Sequence, residues 1–290
     1  MSSCWICEGD LEPCTQFAPA PFLACTRCGF AFRPDLDEAA LARVYAGGDY
    51  EGIRGDHYLR ELPARRRDAR VRLRYMRPWV SRGRLLDVGA AGGAFVAEAA
   101  AWGFDASGIE PVESFARAAR EHLGVAVRCS RIEDLALASG RYQAVTLWHV
   151  LEHLVEPVAK LRRLAEALAP GGAIALEVPN AGGLSAARMG PQWPSLEPDV
   201  HVCQFTPASL RRALERAGLE VCDLRTTAIT PYLPLRARLD PRHLAGRAKA
   251  AYWLRDGRSE HPWGHELLRA IARRSATPRQ RVDQLLGDRA

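Results

Sequence analysis

Residues 85–110, LLDVGAAGGAFVAEAAAWGFDASGIE, decide the fold of this chain. A short apolar strand at 85–88 leads into a turn of small residues at 89–93, and a helix is predicted over 94–101. Small residues let a turn approach a ligand closely, and the start of the helix presents backbone N–H groups. A second strand ends on Glu110, 21 residues after Gly89, where doubly wound folds place an acid that accepts ribose hydroxyls. A tight strand-to-helix connection without a ligand is the alternative interpretation of the turn alone.

The same alternation of strand and helix continues beyond Glu110. Residues 125–129, 142–148 and 173–178 read as strands, and a helix beginning near Pro157 ends at the APGG stop signal, 169–172. Alternating strands and helices indicate a parallel sheet covered by helices on both faces. The predicted fold class is therefore α/β, a Rossmann-like doubly wound sheet.

Five motifs together resemble a known family. They are LLDVGAAGGAF (85–95), GIEP (108–111), YQAVTLWHVLEHL (142–154), LAPGGAIALEVPN (168–180) and HVCQFTPASLRRALERAGLEV (201–221). They are similar to the successive motifs of class I S-adenosylmethionine-dependent methyltransferases. More narrowly, they resemble a bacterial group that includes ubiquinone-pathway O-methyltransferases and deoxysugar C-methyltransferases, the latter with a zinc module before the same core. The resemblance covers about residues 4–225 and is poorly specific for the substrate.

This resemblance implies a set of cofactor contacts. The predicted cofactor-binding residues are Asp87, Gly89, Ala91, Gly93, Glu110, Arg131, Ile132, Trp148 and His149. The glycine-rich turn would line the methionine moiety, Glu110 would bind the ribose, and residues 131–132 would frame the adenine. Trp148 and His149 would lie beside the sulfonium. The chain departs from the family pattern in having Ala91 for the middle glycine, Arg131 for an acid, and Gln143 for the usual acid of the fourth strand.

Four residues are candidates for the catalytic machinery: His149, His153, His201 and Tyr50. Methyl transfer requires alignment of donor and acceptor, with a base when the acceptor carries a proton. Histidine titrates near neutrality, and the three histidines follow the fourth and fifth strands, whose carboxyl ends form the ligand edge of the sheet. The alternatives are a structural hydrogen-bond network for Glu152–His153, a packing role for Tyr50, and catalysis by alignment alone.

Paired cysteines at the start of the chain predict a structural zinc site. Cys4 and Cys7 form one Cys-x-x-Cys knuckle, and Cys25 and Cys28 form a second. Two such pairs bring four thiolates around one ion and leave no open coordination position. A segment of this size cannot build an adequate core, so the metal would supply folding free energy. Participation of Cys14, a catalytic zinc, and an iron–sulfur or redox role are the alternatives.

The predicted domains are a zinc ribbon-like module (1–34), a helical lid (35–80), the cofactor-binding core (81–226) and a basic, mainly helical extension (227–290). No closing seventh strand is evident after residue 226, and a helix is predicted to begin near Glu266. From Thr226 onward there are 13 Arg or Lys against 6 Asp or Glu, so this part holds the whole surplus of the net charge of +6. Because the cofactor motifs precede residue 181, the extension is expected to be dispensable for cofactor binding.

The favoured function is methyl transfer from S-adenosylmethionine to a small molecule of secondary metabolism, such as a sugar, an aromatic or a polyketide, with oxygen favoured over carbon or nitrogen. An RNA methyltransferase is the alternative because the basic extension suits RNA, although the first 225 residues lack a surplus of basic charge. A cofactor-binding protein without catalysis is the third hypothesis.

No apolar run reaches the roughly 20 residues of a membrane span, and no signal peptide is evident, so a cytoplasmic protein is expected. The sequence does not indicate the oligomeric state.

Overall fold

The computed structural model describes residues 3–46, 58, 60–227 and 266–274. Its strands, in chain order, are β1 (Leu11–Pro13), β2 (Leu23–Cys25), β3 (Ala31–Phe32), β4 (Gly83–Val88), β5 (Phe104–Glu110), β6 (Val127–Cys129), β7 (Tyr142–Trp148), β8 (Leu168–Pro179), β9 (Cys203–Gln204), β10 (Leu219–Thr227) and β11 (Leu267–Arg274). Its helices are α1 (Glu38–Ala46), α2 (Leu62–Met76), α3 (Ala94–Ala101), α4 (Glu113–Leu123), α5 (Pro157–Ala167), α6 (Leu184–Met189) and α7 (Pro207–Arg216).

The larger of the two sheets has seven strands in the order β10-β11-β8-β7-β4-β5-β6. Strands β4 to β8 pair in parallel, whereas β11 is antiparallel to both β8 and β10. Successive residues of one strand face two different cores. Leu85 packs with residues of α2 and α3, whereas Leu86 packs with residues of α5 and α7. Both faces of the sheet are therefore covered by helices, which confirms the predicted Rossmann-like fold and explains its continuous apolar strands.

The prediction of a helix beginning near Glu266 is wrong. Residues Leu267–Arg274 form β11, which lies between β8 and β10 and completes the sheet with a seventh strand. Leu, Ala and Arg favour helices intrinsically, but this segment lies inside the sheet, where its backbone groups pair with both neighbours. The described part of the predicted extension thus belongs to the core sheet. The rest of the predicted extension, including His261 and His265, lies outside the described residues.

The smaller sheet joins the N-terminal segment to the core. Its order is β1-β2-β3-β9, and β9 comes from the core rather than from the cysteine-rich segment. Phe30 and Phe32 are buried in one apolar cluster with Val202 and Phe205. The predicted module at 1–34 therefore packs directly against the core, through the β3–β9 pairing and this shared apolar cluster.

Candidate functional site

A cavity of about 490 Å³ lies at the carboxyl ends of β4, β5 and β7, beneath residues of α1 and α2. This size suits a cofactor or a small metabolite. Of the nine predicted cofactor-binding residues, all except Gly93 line it, as do His153 and His201. Tyr50 lies outside the described residues.

The glycine-rich turn approaches its neighbours too closely for larger side chains. Gly89 has φ of +69°, and a Cβ atom there would lie 2.5 Å from Cγ2 of Val150. Ala91, which replaces the family's middle glycine, also has a positive φ, +45°, and its N–H donates to Oε2 of Glu110 at 2.8 Å. Its small side chain lets it keep the turn at a modest conformational penalty. Gly93 has φ of +80° and packs towards Val125 rather than towards the cavity.

Tyr58 is a site residue that was not predicted from the sequence. The N–H of Ala94, at the start of α3, donates to the Tyr58 hydroxyl at 3.1 Å, and a Cβ atom on Gly92 would lie 2.2 Å from the Tyr58 ring. The guanidinium of Arg65 lies 4.5 Å from the centre of that ring. Tyr58 therefore covers the turn from the side of the helical lid. An aromatic residue just before the Arg-rich helix is the available sequence signal for Tyr58.

Two buried carboxyl groups, Asp87 and Glu110, lie beside the turn. Burial raises the pKa of Asp87 to about 7, opposed by a hydrogen bond that the Thr146 hydroxyl donates at 2.6 Å. Burial likewise raises the pKa of Glu110 to about 7, opposed by N–H groups of Ala91 and Val112. Both groups thus titrate near neutrality, where each can change between donor and acceptor.

A charged group of side chains around Arg131 also borders the cavity. Arg131 lies 3.1 Å from Glu38 of α1 and 3.5 Å from Glu133, and Lys160 lies 2.7 Å from Glu38. The side chain of Ile132 is buried against the same part of the cavity. Arg131 therefore ties α1 to this wall, a role that the family's usual acid at this position would not perform.

Trp148 and His149 end β7 at the centre of the cavity. The Trp148 ring packs 5.2 Å from that of Phe95, and the Arg72 guanidinium lies 5.0 Å from the indole. The indole N–H is buried and makes no hydrogen bond among the described residues. His149 has a positive φ of +58°, in the left-handed region that few non-glycine residues adopt. Such conformations persist where surrounding contacts enforce them, as at many functional sites.

Two carboxylates contact the imidazole ring of His149. Its Nδ1 lies 3.3 Å from Oε1 of Glu152, and its Nε2 lies 3.2 Å from Oε1 of Glu177. Burial alone would lower the pKa of His149, but these two carboxylates raise it to about 9. His149 is therefore cationic near neutral pH.

Glu177 is a second site residue that was not predicted from the sequence. It is 1% exposed and accepts hydrogen bonds from Arg72 of α2 at 2.6 Å and from Nε of Arg269 of β11 at 2.7 Å. Burial acts to raise the pKa of Glu177, but Arg72, His149 and Arg269 hold it well below its usual range. One carboxylate thus links the lid, the end of β7 and the C-terminal strand.

His153 and His201 form the far wall of the cavity. Their ring centres are 4.6 Å apart at an interplanar angle of 82°. Nδ1 of His201 lies 2.9 Å from the carbonyl oxygen of Ser195, and Nδ1 of His153 lies 3.1 Å from that of Val200 and 3.0 Å from the Tyr45 hydroxyl. A carbonyl oxygen only accepts, so each Nδ1 must carry the proton. In the neutral ring, each Nε2 is then the basic nitrogen.

Glu152 lies beside these two histidines. One ligand atom from each of Glu152, His153 and His201 falls within 4.8 Å of the others, close enough to bind one cation. Glu152 is 1% exposed, and its carboxylate makes no hydrogen bond within the described ranges apart from the ion-pair contact with His149.

The four predicted metal ligands come together in one buried cluster. The sulfur atoms of Cys4 and Cys28 are 3.7 Å apart, those of Cys7 and Cys25 are 3.4 Å apart, and all four lie within 4.8 Å of one another. Tetrahedral zinc with bonds of about 2.3 Å would separate its sulfur ligands by about 3.8 Å. The donor set therefore fits zinc. Cys14 is outside this cluster and half-buried.

Comparisons with known proteins identify the family of this chain. Residues 56–224 match the family model described as a methyltransferase domain. A ubiquinone biosynthesis O-methyltransferase of Xanthomonas axonopodis pv. citri is 33% identical over 175 residues, which span 55% of this chain and 71% of that relative. Its counterpart from Cereibacter sphaeroides is 31% identical over 159 residues, spanning 51% of this chain and 64% of the relative.

Among solved structures, an S-adenosylmethionine-dependent methyltransferase from Mesorhizobium loti has a TM-score of 0.52 at 18% identity and covers 70% of this chain and 95% of its own. This likeness shows the shared fold. In addition, no helix in the described ranges is both long and apolar enough to cross a membrane.

Proposed function

Because this chain belongs to the S-adenosylmethionine-dependent methyltransferases of the methyltransferase-domain family, we propose that it methylates a hydroxyl oxygen of a small-molecule acceptor. The observation that carries this proposal is the pair His153 and His201. Both have Nδ1 held by a backbone carbonyl, and both line the cavity that the glycine-rich turn also lines. The names of the relatives, O-methyltransferases, support oxygen as the methylated atom.

The cofactor would lie along the carboxyl ends of β4 and β5. Glu110 would accept hydrogen bonds from the ribose hydroxyls, and Asp87 would hold the turn, with Gly89 and Ala91 against the methionine moiety. Ile132 would pack on the adenine, with Arg131 beside it. Tyr58 and Arg65 would close the methionine end, where the start of α3 favours negative charge.

S-adenosylmethionine supplies a methyl group on a positively charged sulfur. The chain's part is to remove the acceptor proton and to align the acceptor oxygen with the methyl carbon. Nε2 of His201 or His153 would take the hydroxyl proton as the oxygen–carbon bond forms, and the electron pair of the breaking carbon–sulfur bond would stay on sulfur. The products are a methyl ether, S-adenosylhomocysteine and a protonated histidine. His149 is cationic at neutral pH, so its contribution would be to position residues rather than to act as the base.

The four-cysteine cluster would hold one structural zinc ion. Its closed set of sulfur ligands leaves no position for an acceptor. Zinc binding would bring all four cysteines to the thiolate form, because the thiolate is the form of cysteine that ligates a metal.

Single replacements of the histidines test the proposed base. We expect His201→Gln or His153→Gln to lower turnover about 100- to 10,000-fold, the typical contribution of a general base, with affinity for S-adenosylhomocysteine nearly unchanged. Turnover would be measured as transfer of labelled methyl to a panel of phenols, catechols and sugar hydroxyls. His122→Gln, at an exposed position of α4, is the matched control.

Two results would contradict this assignment. One is wild-type turnover in both histidine variants. The other is loss of turnover on EDTA treatment with the zinc content unchanged, which would make Glu152, His153 and His201 a metal site instead.

A further inference from the structure

The segment that carries His201 packs against the cysteine-rich module. We call residues 181–205 the acceptor segment, because Ser195, Glu197 and His201 line the cavity from it. Its last residues form β9, which pairs with β3 in the register Ala31↔Gln204 and Phe32↔Cys203. The module therefore hydrogen-bonds to the backbone two residues after His201.

Arg33 binds the acceptor segment on both sides of His201. Its backbone N–H donates to the carbonyl oxygen of Val202 at 2.9 Å, and its Nη1 donates to that of Pro198 at 2.6 Å. Asp35 fixes the guanidinium through two hydrogen bonds, at 2.7 and 2.6 Å, and the Arg33 side chain is only 11% exposed. The turn from 198 to 202 is thus held at one end by the guanidinium of Arg33 and at the other end by its backbone N–H.

Apolar packing fixes the earlier part of the acceptor segment. Phe17 stacks on Trp193 with ring centres 6.2 Å apart and planes 17° apart, and Phe22 and Leu196 are buried in the same cluster. Trp193 is 2% exposed, so it packs against the module instead of facing an acceptor. Leu196 then accepts a hydrogen bond from the Gln204 side chain at 3.0 Å, which joins this cluster to β9.

From these contacts we propose that the cysteine-rich module is the positioning element of the acceptor site, and that Arg33 is the positioning residue that sets the place of His201. The ribose and methionine contacts of the cofactor would come from other elements: β4, β5, α3 and the lid. Zinc loading and Arg33 should therefore control acceptor turnover without controlling affinity for S-adenosylhomocysteine. The catalytic consequence rests on the proposed function, whereas the ordering of the acceptor segment does not.

Hydrogen–deuterium exchange on the full-length chain tests the ordering directly. In Arg33→Ala, and after zinc is removed from the wild type by a chelator, we expect peptides from 190–204 to exchange about tenfold faster or more, while peptides from 85–110 keep their rates. Arg33→Lys should partly restore protection, because it keeps a donor near the Pro198 carbonyl. Glu12→Ala, at an exposed position of β1 in the same module, is the control.

Kinetics and binding complete the test. Arg33→Ala should lower kcat about 10- to 100-fold, the effect of a base displaced by a fraction of an ångström to one ångström, and leave KM for S-adenosylmethionine and affinity for S-adenosylhomocysteine within about twofold. Faster exchange confined to 3–33 would overturn the proposal, and so would equal acceleration in 85–110 and 190–204. Absence of turnover in the wild type would remove the proposed function but leave the exchange result valid.

Discussion

Glu110 accepts two backbone hydrogen bonds, from Ala91 and Val112, and is 6% exposed. Because burial raises its pKa to about 7, the carboxyl is mostly protonated at pH 6 and mostly ionised at pH 8. The ionised form accepts ribose hydroxyls better. We therefore expect affinity for S-adenosylhomocysteine, measured by calorimetry, to increase from pH 6 to pH 8.

Replacement of this carboxyl should remove the pH dependence. Glu110→Gln should weaken binding at pH 8 by about 1–3 kcal/mol, the value of hydrogen bonds to a charged group, and flatten the profile. A profile that stays equally steep in this variant would assign the titration to Asp87, whose pKa also lies at about 7, and would contradict the prediction for Glu110.

His149 should stabilise the fold in a pH-dependent way. Its pKa in the folded protein is raised to about 9 from an ordinary 6.5, so its ion pairs contribute fully below about pH 6.5 and are lost as the pH rises through about 9. His149→Asn keeps a residue that tolerates positive φ. The difference in Tm between wild type and this variant should be largest near pH 6 and shrink by pH 9.5, and a difference independent of pH would contradict the proposed ion pairs.

For individual residues, the sequence predicts the ones that lie within a local motif. It does not predict residues whose importance comes from contacts with parts of the chain that are distant in sequence. Asp87, Gly89 and Glu110 follow from local patterns, and all three line the cavity. Glu177 reads as one polar residue in an apolar strand, and its importance comes from Arg72 and Arg269, which are distant in sequence.

Strand β11 is the element that changes the predicted domain organisation. Leu268, Ala270 and Ala272 are buried in it, and its backbone pairs with β8 on one side and β10 on the other. A chain ending at Thr227 should therefore lose its cooperative thermal unfolding transition and its affinity for S-adenosylhomocysteine, contrary to the expectation that the extension is dispensable.

A chain ending at Arg274 is the control for this deletion. It keeps β11 and should bind S-adenosylhomocysteine like the full chain. Circular dichroism would measure the thermal unfolding of both chains, and calorimetry would measure their affinity for S-adenosylhomocysteine. A folded, binding-competent chain ending at Thr227 would refute the structural importance of β11.

β8 begins at Leu168 and so includes the predicted stop signal at 169–172. The strands β4, β5 and β7 and the helix α3 were predicted close to their observed bounds, because each has a clear pattern of its own. β11 was not, because LLRAIARR is a good helix former by composition. Only the open positions beside β8 and β10 favour a strand there, and such tertiary context is absent from a local pattern.

For the whole molecule, the four-cysteine cluster predicts one zinc per chain. Elemental analysis of the purified protein should give about one equivalent, and Cys25→Ser should lower both zinc content and Tm, because metal binding supplies folding free energy to this module. Cys14→Ser, at a half-buried position outside the cluster, should change neither. A fully folded protein without metal would contradict the zinc assignment.

The cysteine-rich module and the cofactor-binding core were predicted as successive units. In the structure their buried apolar residues form one shared cluster. Cysteine spacing identifies the ligands of a metal site but not what packs behind it. The shared cluster of Phe30, Phe32, Val202 and Phe205 depends on β9, a two-residue strand too short to produce a sequence signal.

The place of β11 in the sheet also bears on how the chain is made. Translation delivers β4 to β8 before β11, so the five parallel strands can assemble on the ribosome while the edge of β8 is still open. That edge contains the apolar residues Leu176 and Val178, and β10 pairs only with β11 among the described strands. Open apolar edges recruit other chains or chaperones. Nascent chains should therefore be most prone to aggregation in the interval between synthesis of β8 and release of β11, and conditions that slow translation there should lower the yield of soluble protein.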